Sequence, residues 1–147
     1  MLKYFWHLTR DERGFTLIEL LIVVAIIAIL AAILIPNFLR ARAQSMVSAA
    51  KGNLKNLATA LESYFVDNNE YSPDLAALAV GQRYLRAIPR DPCNSPDTYE
   101  TGGQASYNPV VAPITDYTIR TDFTGTRCAG IVVGDVLYYT PGGGLTP

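Results

Sequence analysis

The chain has 147 residues and a formal net charge of −1, which leaves room for one modest core and gives no polyelectrolyte signal. No basic patch interleaves with aromatics, so nucleic-acid binding has no support, and the charge balance does not fit a strongly charged disordered chain. His7 and Trp6 are the single histidine and tryptophan, and both precede Gly14. Beyond Gly14, a Ser-His-Asp or Cys-His catalytic arrangement and a His-ligated zinc site are therefore impossible.

The first element is an apolar run from Phe15 to Leu39, entered directly from Gly14 and long enough to span a bilayer with some tilt. Glu19 is its one charge, and 16 consecutive apolar residues follow from Leu20 to Ile35. A charge at the bilayer centre costs about 2.5–3.5 kcal/mol, and less near the edge, so Glu19 is a functional-site candidate. A secretory signal peptide fits poorly. Its apolar core is shorter, Asp11 and Glu12 spoil the basic leader, and helix continues past Asn37. A plain single-pass anchor accounts for the hydrophobicity but not for Gly14 or Glu19. The positive-inside rule does not decide orientation, because Lys3, Arg10 and Arg13 precede the run while Arg40, Arg42, Lys51 and Lys55 follow it.

Gly14-Phe15-Thr16-Leu17-Ile18-Glu19, then the apolar run and Ile35-Pro36-Asn37-Phe38, resembles the N-terminus of type IV pilins and type II secretion pseudopilins. The resemblance covers about the first third of the chain. It implies a leader at 1–14, removed by a prepilin peptidase that cuts between Gly14 and Phe15, with N-methylation of Phe15. It implies a hydrophobic transmembrane and fibre-core helix at 15–39, covered by membrane lipid before assembly. The partners implied are further copies of the chain in a helical homopolymer, the peptidase, and an inner-membrane assembly platform with its ATPase. The product is an extracellular pilus; the alternative is a periplasmic pseudopilus of a type II secretion system that drives protein export. No enzymatic activity and no cofactor are expected.

The cut also supplies a partner for Glu19. A new amine on Phe15 of a neighbouring copy neutralises the carboxylate, and in a low-dielectric core neither charge is tolerable alone. Such a pair fixes axial register, as a single buried polar residue does in a coiled coil.

Residues 40–66 continue the helix amphipathically. Ala50, Leu54, Leu57, Leu61 and Tyr64/Phe65 recur at steps of three and four, a stripe that predicts packing on a sheet. Pro36 predicts a kink near Ile35, and in the resembled family this stretch can bend or melt on assembly. Asp67-Asn68-Asn69 predicts the helix end.

The region 67–147 reads as globular α+β. Ser72 and Pro73 predict the cap and first turn of a short helix to about Ala79. Tyr84 to Pro92 reads as loop, fixed by Pro89 and Pro92, and is similar to the region before the sheet in major pseudopilins. Cys93-Asn94-Ser95-Pro96 then departs towards disulfide-bearing pilins. Cys93 and Cys128, 35 apart in a chain with an N-terminal membrane segment, predict an extracytoplasmic disulfide rather than two buried thiols. Asp116–Phe123 alternates as a half-buried strand. Ala129–Val133 and Val136–Tyr139 flank Gly134-Asp135 as a hairpin, and a weaker strand is predicted near Ser106–Val111. Pro141 to Pro147 reads as a mobile tail. The expected fold is type IV pilin-like, a long N-terminal helix on a small antiparallel sheet of three or four strands. Asp116, Asp122 and Asp135 are weak candidates for a hard-cation site; solvated strand and turn residues are the better reading, and no metal is expected.

Overall fold

A computed structural model describes residues 14–94, 98–99, 105–110, 115–124, 126, 128–132 and 136–147. Helix α1 spans Leu17–Asn68 and is not interrupted at Pro36. A short helix α2 (Ala76–Ala79) leads into a 3-10 turn at Val80–Gln82. Four strands follow: β1 (Ala105–Val110), β2 (Asp116–Asp122), β3 (Val136–Thr140) and β4 (Gly144–Thr146). They pair antiparallel in the order β1-β2-β3-β4. The expected α+β architecture is present, with four strands among the described residues.

The chain divides into two units at the Phe38–Leu39 bond. In the first, every described residue up to Phe38 is exposed except the half-buried Ala31. The second carries the core. Its part of α1 buries Ala43, Val47, Ala50, Leu54, Leu57, Ala58, Ala60 and Leu61, which includes four positions of the predicted stripe, while Tyr64 and Phe65 are half-buried. Leu54, Leu57 and Leu61 share one cluster with Tyr117, Ile119 and Phe123 of the β2 region and Leu137 of β3. Truncating any of these leucines to alanine is expected to cost about 2–5 kcal/mol. β2 alternates as its sequence requires, with Tyr117, Ile119 and Thr121 buried between partly exposed neighbours.

Polar side chains on α1 satisfy themselves along the helix. Ser48, Thr59, Ser63 and Asn68 each donate to the carbonyl four residues back. Asn37 Nδ2 does the same to Ile33 O at 3.1 Å, beside the turn where Pro36 lacks an amide donor. The helix ends as expected, Asn69 taking φ +58°.

Three readings of the C-terminal half need correction. Ser72 does not cap α2: it is buried, its hydroxyl donates to Asp74 O, and Asp74 Oδ1 instead accepts from Ala77 N at 2.7 Å. Ala129 to Val132 is not a strand. Cys128–Gly130 turns, Gly130 takes φ +74°, and Ile131 N donates to Cys128 O, so the local hydrogen bonds close a turn instead of a ladder. The rest of that predicted hairpin, Val133-Gly134-Asp135, lies outside the described residues. The expected tail supplies β4 instead, through a turn at Pro141–Gly143, with Tyr139 opposite Leu145.

Candidate functional site

Gly14 and Phe15 lie just before α1, outside its hydrogen-bonded turns. Phe15 is 84% exposed, and no described residue lies within 4 Å of the place where a Cβ on Gly14 would stand. Gly14 and Phe15 thus form a non-helical lead-in to α1.

Thr16 starts the helix. Its carbonyl accepts the first helical bond from Leu20 N at 3.3 Å. Its hydroxyl accepts from Glu19 N at 3.3 Å. In return Glu19 Oε2 accepts from Thr16 N at 2.9 Å and from the Thr16 hydroxyl at 2.7 Å. This is a capping box, each side chain satisfying amides the helix end leaves bare. Sequence reasoning missed Thr16, although the Thr-x-x-Glu spacing was there to read. Both Thr16 donors go to Oε2, and no hydrogen bond to Oε1 is seen among the described residues. Beyond Glu19 no charge occurs until Arg40. α1 contains a stretch long and apolar enough to cross a membrane, and none of it is buried.

Cys93 and Cys128 are joined as a disulfide. The loop it anchors is tied down by a buried carboxylate that the sequence did not flag. Asp91 accepts from Cys93 N at 2.8 Å, from Asn94 Nδ2 at 3.1 Å, and from the hydroxyl of Thr121 on β2. Asn94 Nδ2 also reaches Asp122 O at 3.0 Å. No local pattern marks Asp91, because its partner on β2 is 30 residues away.

Glu62 accepts from the hydroxyls of Tyr71 and Tyr117. Burial and then Glu62 push Tyr71 up to about 12, and burial first also raises Tyr99, Tyr107 and Tyr117.

Asp116 and Asp122 lie at opposite ends of β2, about 20 Å apart along an extended strand. Asp116 Oδ1 accepts from Tyr117 N, while Asp122 accepts from Thr124 N and pairs with Arg120 at 3.1 Å. Those contacts, with the Thr124 bonds first, hold Asp122 below the usual carboxylate value. Asp135 lies outside the described residues. Among the described residues, no group of three His, Cys, Asp or Glu side chains is disposed to hold a metal.

Residues 9–35 match the family model described as "Prokaryotic N-terminal methylation motif". The chain is 34% identical over 109 residues to type II secretion system core protein G of Pseudomonas aeruginosa, covering 64% of this chain and 77% of that protein. The chain belongs to the family of type IV pilins and type II secretion pseudopilins. Within this family it is also 63% identical over 61 residues to the type IV major pilin PilA of Myxococcus xanthus, covering 42% of this chain and 28% of that protein. It is 52% identical over 69 residues to the type IV wide pilus major component PilA4 of Thermus thermophilus, covering 47% of this chain and 53% of that one. The chain thus spans little more than half of either pilin at most.

Proposed function

We propose that the chain is a structural subunit of a type IV pilus-like fibre. In this reading residues 1–14 are a leader, cleavage between Gly14 and Phe15 exposes an amine that is then methylated, and copies polymerise from the bacterial inner membrane through residues 15–39. One observation carries the proposal: the large apolar side chains from Phe15 to Leu39 are 47 to 84% exposed, around a single carboxylate. Each Å² left in water costs about 25 cal/mol, so this surface calls for lipid first and for identical helices afterwards. Glu19 enters the fibre already held by Thr16, with Oε1 open to the Phe15 amine of a neighbour. Pro36 marks the place where the helix can yield during that transfer. The role is structural rather than enzymatic, and the partners are further copies, the prepilin peptidase, and the membrane platform with its ATPase.

A second reading, a pseudopilus subunit confined to the periplasm, is favoured by the extent of similarity. The match to core protein G runs over 109 residues, whereas the two pilins match over 61 and 69. Electron microscopy of fibres sheared from the cell surface separates the two. Surface fibres of this subunit support the pilus; loss of protein export on deletion, with no surface fibre, supports the pseudopilus. Mass spectrometry should find Phe15 as a methylated N-terminus, and purified fibres should lack tryptophan emission because Trp6 leaves with the leader. A monomeric product with unmethylated Phe15 overturns both readings. Glu19→Ala is expected to abolish or severely impair fibres while membrane insertion persists; normal fibres from that variant refute the register role.

A further inference from the structure

The charge of this chain is segregated along its length. From Leu20 to Leu61 there are four cations, Arg40, Arg42, Lys51 and Lys55, and no anion. From Glu62 to Gln82 there are four anions, Glu62, Asp67, Glu70 and Asp74, and no cation. Lys51 and Lys55, one helical turn apart on α1, line a groove of about 440 Å³ together with Gly52, Tyr139, Gly144 and Leu145. Its far wall is the outer part of the sheet, since β4 is the edge strand. Both lysines are exposed, and among the described residues neither is ion-paired. Two cations thus stand on one wall of a trough whose other wall carries an aromatic ring and the partly exposed Leu145.

The chain also carries a segment of the complementary kind. At the end of α1, Val66 is 79% exposed and is followed by Asp67, Asn68, Asn69 and Glu70, all exposed, with Asn69 turning the backbone at φ +58°. Asp67 is partly committed, to Arg83 at 3.0 Å and to the Tyr84 hydroxyl at 2.7 Å. Glu70 is ion-paired to no described residue.

We infer that the Val66–Glu70 turn of one copy docks into the Lys51/Lys55 groove of another, with Val66 against Leu145 and Tyr139 and Glu70 against the two ammonium groups. The inference rests on the fibre reading above and names a contact between its outer units. Complementary charge of this kind fixes register and rejects wrong partners more than it adds affinity. An anionic lipid surface is the less suited occupant, because it is flat where the lysines line a trough that includes apolar side chains.

A charge swap in the full-length chain, read as fibre yield against processed subunit in the membrane, tests this. Lys55→Glu and Glu70→Lys are each expected to cut fibre yield about tenfold or more, and their combination to restore it to within about threefold of wild type. As a second measurement, fibres carrying both Lys55→Cys and Glu70→Cys should form a ladder of disulfide-linked dimers and higher multimers on mild oxidation, while either single variant should not. Wild-type fibres with silent swaps, no rescue by the combination, or no cross-link overturn this contact alone. A loss with Lys55→Glu that Glu70→Lys neither reproduces nor rescues assigns the lysines to lipid phosphate and also overturns it. Absence of wild-type fibres overturns the fibre reading itself.

Discussion

Replacing Cys93 and Cys128 together by alanine is expected to destabilise the unit from Leu39 to Pro147 by about 4 kcal/mol. The two residues are 35 apart in sequence, and the chain-entropy model assigns about 4 kcal/mol at 25 °C to a closed loop of that length. The loop contains β1 and β2, so the freed unfolded chain gains entropy over half of the sheet. Both cysteines are buried, at 4% and 0% exposure, and the lost sulfur contacts act in the same direction. For a unit of this size, 1 kcal/mol moves the melting temperature by about 4 °C, which gives a fall of about 15 °C. The assay is the near-UV circular dichroism melt of the full chain in detergent, which follows the buried rings of Tyr71, Tyr99 and Tyr117. Reductant should lower the wild-type midpoint and leave the double variant unchanged. A double variant melting within about 3 °C of wild type refutes the reasoning. It would mean that Asp91, through Cys93 N, Asn94 and Thr121, already holds the loop in place without a covalent bond.

Asp91→Ala leaves those donors unanswered in a buried site, and chemical denaturation should show a loss of about 3–5 kcal/mol. High pH tests the tyrosine cluster. Tyr71 rises from 10.0 to about 12 on folding, so the folded state holds the proton more tightly. Its contribution is complete below pH 10 and is lost as pH rises towards 12; stability measured by denaturant titration should fall across that window, and the fall should shrink in Tyr71→Phe. Gly144 opens β4 at φ +68°, so Gly144→Val should cost about 1–2 kcal/mol and raise amide exchange in both β4 and β3. Thr16→Ala should increase amide exchange over the first turn of α1, because it removes the hydroxyl that accepts from Glu19 N and donates to Glu19 Oε2 and leaves only the Thr16 N bond to that carboxylate.

What the sequence determined by itself is what depends on neighbours within a few residues. The spacing of Leu54, Leu57 and Leu61 marked the buried face of α1, the alternation of Tyr117, Ile119 and Thr121 marked β2, and Gly14 to Glu19 carried the motif that places the chain in its family. The capping box of Thr16 and Glu19 belongs with these, since its members are three positions apart. Only the tertiary structure decided the rest, because those choices turn on partners distant in the chain. Ala129 to Val132 has the composition of a strand, but Cys128 is bonded to Cys93 and Gly130 turns the chain, so the extended form is lost. Gly144 to Thr146 has no pattern long enough to read, yet it becomes a strand because β3 offers it a free edge. Asp91 looks like an ordinary loop carboxylate until folding brings Thr121 to it. The groove beneath Lys51 and Lys55 exists only once Tyr139 and Leu145 stand opposite α1: side-chain type and local period come from the sequence, and burial comes from what arrives across the core.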